Sequence, residues 1–175
     1  DESSFLYTGA TGTIEDRKFT ITGRLSYEVS GGQQNLWCLF FEDEHEISWL
    51  MESEDEFHLR EDISRAESIP SFKSLELESR FEIAGSIVTV EEKNKALLHG
   101  AEGSLPFIIK KGTIIPFIEA SFDDDAVTIE YISEPPRVYK TRHMDLSEIF
   151  LDISKDELED DYEDGSDDDY EDDDS

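Results

Sequence analysis

The sequence predicts a mainly β fold: a single antiparallel barrel or packed-sheet domain over residues 5–150, a short C-terminal helical turn, and a disordered acidic tail at 155–175. Three observations carry that reading. Apolar and polar residues alternate from Lys18 to Val29, the period of a half-buried strand. At least seven strand-like runs stand against one convincing helical segment, and they are joined by short polar turns. The last 21 residues, 155–175, carry 14 acids and one lysine with only Leu158, Tyr162 and Tyr170 as large apolar or aromatic side chains. Such a segment cannot bury enough surface to offset the entropy of ordering its backbone, about 1–2 kcal/mol per residue.

In chain order, Phe19, Ile21, Gly23, Leu25, Tyr27 and Val29 form one face of the first strand, and Ser30-Gly31-Gly32-Gln33 ends it. Leu36–Phe41 is a continuous apolar run, the pattern of a strand buried on both faces. A charged turn at 42–46 leads to Ile47–Met51 and then to Phe57–Arg60, so an antiparallel meander is the simplest arrangement. Residues 61–79, polar and containing Pro70, form a connection with one helical turn. The strand pattern resumes as a single run from Phe81 through Ile87 to Val90, followed by Ala96–Leu98, Ile114–Phe122, Ala126–Ile132 and Val138–His143. Asp123-Asp124-Asp125 is a hairpin turn, and Asp145–Leu151 is helical, with Asp145 and Glu148 at capping-box spacing. The expected core comprises Phe19, Ile21, Leu25, Trp37, Leu39, Phe41, Trp49, Ile83, Ile87, Val127 and Ile129. Phe19–Arg24 also echoes Phe81–Ser86, which would make two similar halves joined by 61–79 within a domain of residues 1–154.

Charge sets the classes of partner. The chain holds 45 acids against 15 bases, a net of −30, and residues 1–154 alone carry −17. Binding to nucleic acid relies on Lys and Arg against phosphates, so it is not expected. No apolar run approaches the roughly 18 residues of a membrane-spanning helix, so no membrane insertion is expected either. A single cysteine, Cys38, excludes an intrachain disulfide framework and a multi-cysteine zinc site.

Several short motifs together resemble a bacterial domain family of unknown function, the domain of unknown function 4178 type. They are Gly12-Thr13-Ile14, then Phe19-x-Ile21-x-Gly23-Arg24-x-x-Tyr27, then Trp37, then Trp49-Leu50 with Glu52. The second half adds Val90-x-Glu92, Ala96, Gly103-x-Leu105-Pro106, Ile129-Glu130-Tyr131 and Tyr139. The resemblance covers about residues 8–150; Asn35 and Leu36 depart from the small or acidic residues such proteins carry before the first tryptophan. It implies a bacterial β-rich domain, cytoplasmic, linked by context to envelope stress or polyamine-related systems. It brings no catalytic residue.

Candidate sites each have a plainer alternative. Arg24 offers a planar fork for a carboxylate or other anion, or a cross-strand ion pair, which the excess of acids favours. Tyr27 stands on the opposite face of the same strand. Trp37 and Trp49 form an aromatic wall for a cation or a ring, or core, which their apolar strands favour. Arg137, Lys140 and Arg142, with His143 beside them, make a basic patch that the acidic tail could cover transiently; Lys140 and Arg142 share a face and Arg137 lies on the other. His45, His58, His99 and His143 are isolated in sequence, so no metal site is assigned. In the tail, Asp160, Asp164, Gly165 and Glu171 fall at calcium-loop positions, but Tyr162 breaks the pattern, leaving weak divalent-cation binding. The expectation is a non-catalytic acidic interaction or scaffold domain, with no cofactor, that meets a basic protein or polycation. The alternatives are an enzyme whose site is assembled from scattered residues, and an acidic DNA mimic.

Overall fold

The computed structural model describes residues 4–54, 56–64 and 68–152; the acidic tail and its calcium-like spacing lie outside them. The strands are β1 (Thr11–Ile14), β2 (Arg17–Val29), β3 (Gly32–Phe41), β4 (Glu46–Ser53), β5 (Glu56–Asp62), β6 (Arg80–Ile83), β7 (Ser86–Gly103), β8 (Ile114–Phe122), β9 (Asp125–Glu130), β10 (Arg137–Met144) and β11 (Ile149–Leu151). Every pairing is antiparallel. Eight strands close a barrel in the order β2-β3-β4-β5-β10-β9-β8-β7, and β2 pairs with β7 to complete the ring. Closure removes the unpaired edges that an open sheet would expose.

The closing seam depends on glycine. Gly23 of β2 faces Gly103 of β7, and a Cβ at Gly23 would sit 2.5 Å from the carbonyl oxygen of Ser104. Gly103 itself has φ +74°, a conformation that disfavours other residues. A register shift between Ile21 and Gly23 lets β2 turn from its partner β1 toward β7.

The two halves of the ring share one strand order. β1 pairs with the start of β2, and β6 pairs with the start of β7; each long strand then runs on to the seam. β3, β4 and β5 follow β2 as β8, β9 and β10 follow β7. The matching hairpins turn at Glu15-Asp16 and Ala84-Gly85, all four with positive φ. Phe19 therefore corresponds to the start of β7, not to Phe81, so the sequence echo is out of step with the structural one.

Alternation along the strands produces three cores. Inside the barrel lie Leu25, Leu36, Cys38, Trp49, Leu98 and Ile115. The outer face of β2–β5 buries Phe19, Trp37, Phe41 and Leu59 under Leu6, Ala10 and Ile149. The outer face of β7–β10 buries Val88, Val90, Ile118 and Ile129 under Leu75 and Ile83. On the first outer face Glu52 is buried, yet it accepts hydrogen bonds from Trp37 Nε1 (3.1 Å), Asn35 Nδ2 (3.0 Å) and Ser4 Oγ (2.8 Å). Three donors replace the water that this carboxylate loses.

Three local expectations need correction. Phe81–Val90 is a hairpin, not one strand, because Ala84 and Gly85 take left-handed conformations and turn the chain. That turn resets the alternation, so Val88 and Val90 face the core while Ile87 is 55% exposed. Asp145–Leu151 is not a helix. The capping box closes one 3₁₀ turn at Leu146–Glu148, and Ile149–Leu151 becomes β11 on the edge of β1. The connection at 61–79 does contain its one turn, a 3₁₀ turn at Phe72–Ser74. Among the described residues no helix is long and apolar enough to cross a membrane.

Candidate functional site

The ends of the barrel differ because two corresponding connections differ. Between β7 and β8 the chain runs over residues 104–113, and its alternate residues Leu105, Phe107 and Ile109 turn into the barrel core. Phe107 meets Trp49 with ring centroids 5.8 Å apart, and the Arg137 guanidinium lies 4.0 Å above its centroid. That end is closed. Between β2 and β3 only Ser30-Gly31 intervenes, both with positive φ, so that connection is too short to fold back across the barrel. There a cavity of about 150 Å³ opens past Gln34, Ser53 and the exposed Glu56.

The cavity is lined by apolar Leu36, Met51, Ala96 and Phe117 and by polar His58, Arg60, Glu92, Glu119 and Glu130. The two kinds alternate around it, Met51 paired with His58 and Phe117 with Glu130. Strand alternation explains the basic members: Phe57 and Leu59 pack outward, so His58 and Arg60 must point in. Arg60 is 5% exposed. Its Nη2 lies 3.4 Å from Glu119 and 3.1 Å from the Met51 sulfur, and its Nη1 lies 3.6 Å from Glu130. Both carboxylate distances exceed the 2.7–2.9 Å of a tight charge-assisted bond. Its Nε, buried, has no hydrogen-bond partner among the described residues. Thr128 donates to Glu119 at 3.2 Å and shares a 3.0 Å hydrogen bond with Thr141.

Burial shifts the titration of this cluster. It pushes the Glu130 carboxyl up despite the opposing pull of Arg60 and Arg137. Burial also raises Tyr27 and Tyr139 well above the ordinary phenol. His58 is pushed down by burial and by His143, which lies directly across the β5–β10 pairing with ring centroids 5.4 Å apart. The His58 Nδ1 atom is buried without a hydrogen-bond partner among the described residues.

The residues singled out from sequence divide. Tyr27 lines the cavity, and Arg137 caps the closed end. Arg24 does not join them: it lies directly opposite Glu102 across the seam, with Nε 3.3 Å from its carboxylate, the cross-strand ion pair. Arg142 is held by Glu15 of the β1–β2 turn and by Glu148, while Lys140 is exposed on the outer surface. Arg137, Lys140 and Arg142 are therefore not one patch, because Arg137 faces the barrel and Arg142 is already paired. Trp37 and Trp49 make no common wall; they occupy the outer and inner cores. Cys38 is a buried core thiol, raised by burial.

Sequence reasoning passed over Arg60, Glu119 and Glu130 as site residues and read His58 and His143 as isolated. The local signal for two of them was present in Phe57-His58-Leu59-Arg60, an alternation with large apolar residues in one phase and basic ones in the other. Among the described residues no group of three or more His, Cys, Asp or Glu is arranged to hold a metal ion. No family model matches the chain, and no curated protein or solved structure is significantly similar to it.

Proposed function

We propose that this chain is a non-catalytic acidic interaction module that meets a positively charged partner, a basic protein or other polycation. One observation supports it above the rest: carboxylates at the open end of the barrel lack cationic partners. Glu56 and Glu92 form no ion pair among the described residues, whereas Arg17, Arg24, Lys93 and Arg142 are each held by glutamates elsewhere. Part of the acidic surplus therefore stands at the open end of the barrel, with Glu56 exposed and Glu92 half-buried. The resemblance to the bacterial domain family belongs to the same reading, as do a cytoplasmic setting and a link to envelope-stress or polyamine-related systems. Titration of the full chain with a lysine-rich peptide tests it. Binding should be saturable and weaken steeply between low and physiological salt, as exposed charges are screened over about 8 Å at physiological ionic strength. No binding at low salt removes the proposal.

A second reading, catalysis, has one observation in its favour: the cavity brings His58 together with Glu119 and Glu130. A histidine acting as general base must exchange its proton near the working pH. Burial lowers the His58 ring from its ordinary value, and a titration followed by NMR that finds no proton exchange at His58 across the working pH range removes this reading.

A further inference from the structure

We infer that the cavity at the open end of the barrel binds a small neutral molecule, a primary carboxamide on a short aliphatic stem. The inference goes beyond the acidic-module reading and does not rest on it. Arg60 carries it. A guanidinium has five N–H donors, and at 5% exposure this one meets almost no bulk water. Its Nη2 lies 3.4 Å from Glu119 and 3.1 Å from the Met51 sulfur, a weak acceptor. Its Nη1 stands 3.6 Å from Glu130, and its Nε has no hydrogen-bond partner among the described residues. A buried donor without an acceptor is costly, so an acceptor is missing at Arg60. Because Arg60 lines a cavity of about 150 Å³, a ligand has room to supply one.

The other residues of the cavity define what carries that acceptor. Glu92, Glu119 and Glu130 line it and Glu56 stands exposed at its mouth, so an entering carboxylate meets like charge. A cation brings donors only and leaves Arg60 unsatisfied. A neutral carbonyl oxygen accepts from Arg60 and adds no charge. The same ligand also needs a donor. Glu92 receives only a 3.3 Å hydrogen bond from Asn94, and His58 Nδ1, also without a hydrogen-bond partner among the described residues, accepts in one neutral tautomer. A primary amide holds a carbonyl oxygen and an NH₂ group side by side. Leu36, Met51, Ala96 and Phe117 offer apolar surface to an aliphatic stem. At about 30 Å³ of liquid volume per water, the cavity has room for about five non-hydrogen atoms, too few for a nucleotide or sugar.

The test uses the full chain and probes of matched size: propionamide, propionate, n-butylamine and n-butanol, each followed by backbone amide chemical shifts. The expected result is saturable binding of propionamide, with shifts centred on Leu36, Arg60, Ala96 and Phe117, and about tenfold weaker binding of the other three. Arg60→Lys keeps the positive charge and removes Nε, and should weaken propionamide about tenfold. Ala96→Leu, which fills the cavity, should abolish its binding. Equal or tighter binding of any other probe overturns the inference, as does an unchanged affinity in a folded Arg60→Lys variant. The comparison of probes needs no variant, so it decides the matter even where Arg60→Lys does not fold. No saturable shift with any probe means that the cavity holds water alone, and the inference falls. The lysine-rich peptide reports on the acidic-module reading separately, and neither result alters the other.

Discussion

The two halves of the barrel have the same strand order and different ends. In the first half a two-residue turn follows the long strand β2; in the second, residues 104–113 follow the long strand β7 and fold inward. The first choice leaves the cavity open and the second seals it with Phe107 against Trp49. The outer cores also differ. β2–β5 bury four large aromatic rings, Phe19, Trp37, Phe41 and Phe57, whereas the buried members on β7–β10 are aliphatic. A repeated topology therefore does not impose a repeated chemistry. Connection length and side-chain volume decide which end can take a ligand.

The largest expected effect is in the aromatic outer core. Trp37→Ala removes a side chain that is 2% exposed and strips a hydrogen bond from buried Glu52, so it should cost about 3–5 kcal/mol. Ile118→Val, its aliphatic counterpart on the second outer face, should cost only about 0.5–1.5 kcal/mol. Denaturant unfolding of both variants measures the difference. Equal losses would mean that the two outer cores contribute alike, against the comparison drawn from their composition.

The next effect concerns the sealed end. Phe107→Ala removes a partly buried ring from Trp49 and from beneath Arg137, a loss of about 2 kcal/mol. Trp49 should then become accessible to an aqueous fluorescence quencher, while buried Trp37 stays shielded. Unchanged quenching would show that the connection seals the barrel without that ring.

Much of this fold was legible in the sequence. β2 to β5 follow from alternation and from the apolar run at Leu36–Phe41, because each strand buries at least one face. β6 and β7 ran together because their turn is Ala84-Gly85, and alanine gives no sign that it will take a positive φ. β11 was hidden behind a capping box that closes a single turn. The site was less legible for a different reason. Alternation shows that His58 and Arg60 share a face, but Glu119 and Glu130 reach them through pairings between β5, β10, β9 and β8. That register depends on the β5–β10 pairing that joins the two halves, and no local pattern records it.

The inner cluster predicts a pH dependence with two opposing slopes. Glu130 has a folded pKa raised above 4.5, so the folded chain binds more protons there and stability falls as pH rises from that value. His58 has a folded pKa lowered below 6.5, so the unfolded chain binds more protons and stability falls as pH drops below that value. Glu130→Gln should make the stability profile rise more steeply with pH, and His58→Gln should make it rise less. Parallel profiles for the three proteins would remove both contributions.

The smallest effect tests how the second half is tied to the turn of the first. Arg142 of β10 reaches Glu15 in the β1–β2 turn and, at 3.9 Å, Glu148. Its side chain is about one-third exposed, so water and salt screen the pair. Arg142→Ala should therefore cost no more than about 1 kcal/mol, and most of that should vanish at high salt. Lys140 points to the same side of β10 without an ion pair among the described residues, and Lys140→Ala should change stability by less than about 0.5 kcal/mol. The two variants separate a specific tie from general relief of charge repulsion. In a chain of net −30, removing either cation increases repulsion by the same unit, so equal losses that both disappear with salt would reflect net charge alone. A larger loss for Arg142→Ala, matched by Glu15→Gln and not compounded in the double variant, would locate the effect in the Arg142–Glu15 pair.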